Sequence, residues 1–408
     1  MQLGRVLQGD PALLYMERYV DEGTRSYSPF AAKSEIASDY QPRSHQPSFE
    51  LASAWVPPES VSVFEADPDV RLQEYYRAEQ RVRFVVHPET WHDDDVERLD
   101  ELRSWPRAEP IQVAPTASTR TVLTTAPPRD VPTHFIKLHC PKRISRFNRR
   151  LRRKNIENSV TATRDLAHVR FEKFAYLPDT LGICYGTGDQ AWGFLIREHT
   201  PRPSRARRFL IPGFALYGGD LDQPDDRSLL VQLIDESGAN PKRFIVDEIM
   251  IPIVECWAKV VRERGILLES HAQNVLIEID DNFRPTRIVH RDCDVWVDNE
   301  VRTRAGLDLP FRGASIGSDT AFPREQHYSL VYDHFLGREL FEFLLAAASH
   351  AYGLAQEPIR RDVAAAFHDL FPDANDFLPR KTTFYFSNEI LPGNEFHLVD
   401  TGQAPRWR

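Results

Sequence analysis

Between residues 246 and 264 the apolar positions recur at helical spacing. Ile249, Ile253, Cys256, Trp257, Val260 and Val261 share one face, and Gly265 supplies a stop. The pattern predicts a helix over about 246–264, with Pro252 in its first turns or kinking it. The period then changes from helical to alternating. "VLIEID" and "TRIVHRD" flank the turn-rich "DNFRP", which predicts a β-hairpin with Val275, Ile277 and Ile279 on one side and Glu278 and Asp280 opposite. Upstream, "VRFVVH", "TRTVLTT", "THFIKLH" and "AWGFLIRE" read as short strands, and "DDDVERLDELRSW" as a charged helix. Further helices are expected at about 334–352 and 358–370. The first 60 or so residues are polar and rich in Pro and Ser, as in "DYQPRSHQPSFELASAWVPPES", and read as a loop-rich cap. The pattern therefore describes an α+β protein with a reduced N-terminal cap (1–60), a β-rich middle (61–240) and a mixed C-terminal lobe (241–408).

The chain of 408 residues is long for one core, and its 41% hydrophobic and 27% charged content is that of a folded protein. A net charge of -9 argues against general nucleic-acid binding. Cys140, Cys184, Cys256 and Cys293 are widely separated and form no CxxC pair, so free thiols in a reducing cytosol are expected. No apolar run of about 18 residues and no signal-peptide pattern appears, which leads to the expectation of a cytoplasmic, membrane-free protein.

The hairpin carries polar clusters at its open end. In an antiparallel pair the start of the first strand lies beside the end of the second. His271 and Asn274, from the polar group Glu269, His271, Gln273 and Asn274, are thereby expected near Arg291 and Asp292. An Asn amide oxygen and an Asp carboxylate are hard ligands suited to Mg²⁺, and Arg or His can meet phosphate. The competing reading is that these residues solvate a strand end.

A second cluster precedes it. Ser118, Thr119, Arg120 and Thr121 are consecutive, and nine Lys or Arg with no acid follow between Lys137 and Lys154. A polyphosphate site accounts for hydroxyls and arginine just upstream of such a run. Nucleic-acid binding and a solvated helix face are the alternatives. No GxxxxGK[ST] loop and no GxGxxG fingerprint is present, so any nucleotide must be held by side chains. "VHRD" invites comparison with a kinase catalytic loop, but Val297 stands where that loop needs Asn and no DFG follows. His87 and His92 with Asp93, Asp94 and Asp95 are explained by a strand followed by an acidic helix start. Cys293 reads as a small packing residue, and Trp296, Phe384, Tyr385 and Phe386 as core or pocket wall.

The segments "VVHPETW", "PTASTRT", "KLHCPKRISRFNRRL", "GFLIRE", "ESHAQN" and a later "RD" follow the order found in the IucA/IucC-like siderophore synthetases that work independently of non-ribosomal peptide synthetases. The resemblance covers roughly residues 80 to 300. It implies a cupped hand of thumb, fingers and palm, with the thumb reduced to a stub. It also implies an ATP- and Mg²⁺-dependent ligase that adenylates a carboxylic acid and condenses it with an amine, hydroxylamine or alcohol. Carried over by motif, Ser118, Thr119, Arg120, Thr121, Lys137 and Arg149 would contact the nucleotide. His271, Gln273 and Asn274 would complete its site, with Glu269, Asn274 and Asp292 near Mg²⁺. Arg120, His271 and Lys137 would be the catalytic set. Arg291 and Lys381 would meet the carboxylate substrate, and His45 would stand for a nucleotide-side histidine. A homodimer is implied by resemblance alone. Glu50 occupies the position where the family has lysine, and "CDVWVD" replaces its glycine-containing run. Arg197-Glu198 is either a structural ion pair or a palm-facing contact. A non-catalytic nucleotide-binding relative or partner subunit, and a kinase-like phosphotransferase, remain as alternatives.

Overall fold

The computed structural model describes residues 1–20, 33–205, 209–317, 322–391, 393 and 395–408. Its contacts gather the chain into two units. One holds residues up to 164 from 33, together with 177–201; the other holds 1–20, 165–176 and the described residues from 202 onward. The part of the expected cap at 21–32 lies outside the described residues.

The first unit is built on a nine-stranded antiparallel sheet. Its order is Val61–Glu65, Asp179–Tyr185, Trp192–Glu198, His134–Leu138, Thr121–Thr124, Ile111–Pro115, Phe49–Val56, Arg81–Val86 and Arg77–Ala78. All four upstream segments expected as strands are strands. The sheet curls around Phe84, Tyr185, Trp192 and Phe194, whose rings pack against one another in tilted and edge-on contacts at 5.4–6.5 Å. On the other face the helix Arg153–Leu166 lays Ile156 and Val160 against Leu195 and Cys184. Gly182 makes that approach possible, since a Cβ there would stand 2.3 Å from Ile156.

Two sequence expectations change here. Phe49–Val56, placed in a loop-rich cap, is an inner strand pairing Ala54 with Phe84 and Phe49 with Val113. Its proline-rich flanks hide an apolar run whose partners lie 26 to 64 residues away. The charged helix is also shorter than expected, spanning Leu99–Ser104. The Asp93 side chain accepts the Asp95 N–H and holds a turn, and Arg98 adopts a left-handed φ of 60°.

The second unit joins helices to a four-stranded sheet ordered Phe174–Tyr176, Pro285–His290, Val275–Ile279 and Phe209–Pro212. The expected hairpin is its centre, with Val275 opposite His290 and Ile277 opposite Ile288. Asp280 closes the turn by accepting the N–H groups of Asn282 and Arg284. Both hairpin faces are covered, because Glu278 is buried in a bidentate pair with Arg287. The helix predicted over 246–264 exists as a composite, π-helical over Phe244–Met250 and α-helical over Ile251–Arg264. Pro252 stands at the junction where the π segment passes into the α segment, and Gly265 ends the helix at φ 63°. Trp257 packs there on Tyr328, Tyr332 and Phe371. The first C-terminal helix begins earlier than expected, running through Arg324–Ser329, a π segment Leu330–Phe341 and Glu342–Tyr352; the second is Gln356–Leu370. Among the described residues no helix is long and apolar enough to cross a membrane.

Candidate functional site

In the β-rich unit the segment "PTASTRT" is a tight connection between the strands Ile111–Pro115 and Thr121–Thr124. Thr119 turns the chain at φ 67°, an uncommon conformation for a β-branched residue. The turn is held by its own hydroxyls: Ser118 Oγ accepts the Thr121 N–H at 3.0 Å, and Thr116 Oγ1 donates to the Thr121 carbonyl at 2.6 Å. Lys137 lies directly across the ladder from Thr121 and is buried. Arg120 Nη1 donates to the carbonyl of Arg149 at 3.2 Å, so the arginine of the turn meets the arginine twelve residues beyond Lys137. The structure thus brings Ser118, Thr119, Arg120, Thr121, Lys137 and Arg149 into one corner.

The rest of the basic run is used differently. It is no single helix, because a short ladder joins Arg143–Ile144 to Phe147–Asn148 before the helix starts at Arg153. Lys142 approaches Asp93 at 3.7 Å and Arg152 pairs with Glu97 at 2.7 Å. These acids, with Glu35 and Asp95, line a polar cavity of about 320 Å³ together with Arg150. Arg197 is a structural residue: its guanidinium grips Asp179 in a buried bidentate pair at 2.7 and 3.1 Å. His45 is exposed, and among the described residues no hydrogen bond or ion pair joins it to the corner. Glu50 accepts from the Gln112 amide at 2.7 Å.

In the helical unit the open end of the hairpin assembles as its register dictates. Arg291 N–H donates to the Asn274 carbonyl at 2.9 Å, and Arg291 Nε donates to the Gln273 carbonyl at 2.7 Å. Asn274 Nδ2 donates to the Glu269 carbonyl at 3.1 Å, which fixes the direction of its amide oxygen. His271 accepts the Gln273 N–H at Nδ1, so its ring proton belongs on Nε2, and its ring meets Phe335 edge-on. Asp292 follows at φ 72°, half-buried and left-handed, a conformation Asp tolerates better than most side chains.

One residue here left no trace in the local pattern. Glu17, on the helix Asp10–Tyr19, accepts from Arg291 Nη1 at 2.5 Å, with both side chains buried. Arg291 is therefore a structural tie of the loop. Lys381 is exposed just before the strand Phe384–Phe386, and among the described residues no hydrogen bond or ion pair joins it to the loop or to Arg291. Cys293 and the other three thiols are buried and free of disulfides. Trp296 packs on Phe322, His327 and Phe396 as a wall residue.

Comparison with solved structures identifies the fold. The chain superimposes on the ATP-bound aerobactin synthetase IucA of Klebsiella pneumoniae with a TM-score of 0.71 at 16% identity, covering 99% of this chain and 80% of that one. The petrobactin biosynthesis protein AsbB of Bacillus anthracis gives 0.70 at 14% identity, over 97% of this chain and 75% of that one. The chain has the siderophore-synthetase fold. Aerobactin synthetase IucC of K. pneumoniae shares that fold, with a TM-score of 0.64 at 16% identity over 92% of this chain and 76% of that one. The family model described as "Ferric iron reductase FhuF-like transporter" matches residues 246–398, which begin in the composite helix and contain the hairpin. No curated protein matches the sequence. In this synthetase fold the order of the sequence motifs is the order in which the two polar clusters arise, the turn and basic strand in one unit and the hairpin end in the other.

Proposed function

We propose that this chain is an ATP-dependent ligase that adenylates a carboxylic acid and transfers the acyl group to an amine, hydroxylamine or alcohol, in the biosynthesis of a siderophore or related product. The observation that carries the reading is the corner of Arg120, Lys137 and Arg149 beside the hydroxyl-held turn at Ser118–Thr121, in a fold with a solved ATP-bound member. In the cupped-hand scheme the β-rich unit corresponds to the fingers and the helical unit to the palm.

The chemistry suits these residues. A substrate carboxylate oxygen attacks the α-phosphorus of ATP, the bond to the bridging β-phosphate oxygen breaks, and pyrophosphate departs with the electron pair. The nucleophile then attacks the acyl carbon, loses its proton, and AMP leaves. Charge accumulates on the departing pyrophosphate, and fixed guanidinium and ammonium groups at Arg120, Arg149 and Lys137 lower the barrier there. Ser118 and Thr121 hold the turn that aims Arg120. His271, its tautomer fixed by the Gln273 N–H, would present an Nε2–H suited to a phosphate oxygen, as the resemblance implies. The oxygens of Glu269, Asn274 and Asp292 are all hard donors that would suit Mg²⁺, which would supply charge neutralisation on the leaving phosphates. The bond to Glu17 supports a positioning role for Arg291, with Lys381 the remaining candidate for the acid.

The test is product identity with purified protein, ATP, Mg²⁺, hydroxylamine and a panel of carboxylic acids. Pyrophosphate and AMP formed with one acid establish the reaction and the acid class. ADP would replace this reading with a kinase-like one, and ATP binding without turnover on any acid would replace it with a nucleotide-binding partner.

A further inference from the structure

The two side chains flanking Pro88 meet a cysteine in the β-rich unit. His87 ends the strand Arg81–Val86 and caps the four-residue helix Pro88–Trp91, which carries Glu89. Cys140 follows the strand His134–Leu138 by two residues. One ring nitrogen of His87, a carboxylate oxygen of Glu89 and the Cys140 sulfur lie within 4.8 Å of one another.

Two further observations point to a ligand. His87 is fully buried with its Nε2 lacking any hydrogen-bond partner, and Glu89 Oε2 is likewise buried without one. A fold rarely keeps two such atoms on residues this close in the chain unless something satisfies them. The surroundings are also built to hold the three groups. Glu89 Oε1 accepts the Ala37 N–H at 2.7 Å, which orients the carboxylate. Thr90 Oγ1 donates to the His139 carbonyl at 2.9 Å and ties the short helix to the Cys140 segment. Tyr40 and Phe49 close the outer side of the imidazole edge-on, at 5.1 and 5.6 Å.

We propose that His87, Glu89 and Cys140 form a site for a zinc-type divalent cation. The site clips the end of one strand to the end of the strand that carries Lys137. Sulfur, imidazole and carboxylate together select a borderline-soft ion over Mg²⁺ or Ca²⁺, and three protein donors leave a fourth position for water. Donors around tetrahedral zinc stand roughly 3.5 Å apart, so the three groups close by at most about 1.3 Å on binding. The Cys140 thiol releases its proton to solvent as the metal–sulfur bond forms. Ligation through Nε2 moves the imidazole proton to Nδ1 and gives up the long 3.2 Å cap that Nδ1 accepts from the Glu89 N–H.

The experiment is a Co²⁺ titration of the chelator-treated full chain, followed by optical spectroscopy and Zn²⁺ competition. The expected result is a cobalt–thiolate charge-transfer band with tetrahedral d–d bands, saturating at one equivalent and displaced by Zn²⁺. Cys140→Ser loses the charge-transfer band. Glu89→Gln, which leaves the thiol and the fold in place, keeps the band but weakens Co²⁺ at least about tenfold. No band at one equivalent overturns the proposal. So does a band that survives Cys140→Ser, which would belong to another thiol, or an unchanged Co²⁺ affinity in Glu89→Gln.

Discussion

The two polar clusters are built by opposite means. The corner at Ser118–Thr121 is local: one turn bonds to itself, and Lys137 is the neighbour across a single ladder. The hairpin end is held partly from afar, because Arg291 is locked by Glu17, which lies 274 residues away. Both contain a left-handed residue, Thr119 in one and Asp292 in the other. The contrast separates two kinds of sensitivity. A local corner can lose a charge and keep its shape, whereas a cluster tied by a buried ion pair loses its frame with either partner.

The largest expected effect falls on the tie. Glu17→Ala leaves the Arg291 guanidinium buried without its carboxylate and should destabilise the chain by about 3–5 kcal/mol. Urea unfolding measures this, and adding Arg291→Met to Glu17→Ala should recover part of the loss. Loss below about 1 kcal/mol in the single variant would show that the distant tie does not hold the hairpin end.

Arg120→Ala tests the other cluster. It should lower ATP-dependent pyrophosphate release by about 100-fold or more, roughly 2.7 kcal/mol of barrier, while the urea midpoint barely moves. Asp292→Ala should likewise abolish adenylation in a folded protein. Wild-type turnover in either variant would count against the proposed ligase.

Acid pH probes both units together. Burial pushes His134, in the β-rich unit, and His290, in the helical unit, down from 6.5 to about 4 and about 3. His134 is satisfied as a neutral ring, bonded to the Tyr76 hydroxyl at 2.7 Å and to the Pro132 carbonyl at 2.8 Å. Between pH 6.5 and these values the unfolded chain binds protons that the folded chain refuses. Stability is therefore complete above about pH 6.5 and falls as pH drops, by up to about 1.4 kcal/mol per pH unit for each such ring. His134→Gln should remove one ring's share of that slope in urea midpoints measured from pH 7 to 4. An unchanged slope would mean that His134 already titrates in the folded state.

The smallest effect is expected at the turn itself. Ser118→Ala removes the acceptor for the Thr121 N–H and should cost about 1 kcal/mol, with a measurable fall in ATP affinity because Arg120 is aimed by that turn. A loss of stability as large as that of Glu17→Ala would erase the distinction between the two clusters.

Much of this architecture was legible in the sequence because its causes are local. Alternation marked the strands, helical spacing and Gly265 marked the composite helix, and hairpin register required Asn274 to meet Arg291. Hydroxyls beside a cationic strand marked the other cluster for the same reason. Tertiary structure alone decided the remainder. It made Phe49–Val56 an inner strand, covered the second face of the hairpin, tied Arg291 to Glu17, and set Cys140 beside His87 and Glu89. Hydrogen-bond periodicity acts over a few residues and writes itself into the chain, while the pairing of distant buried groups depends on how whole elements pack and leaves no local mark.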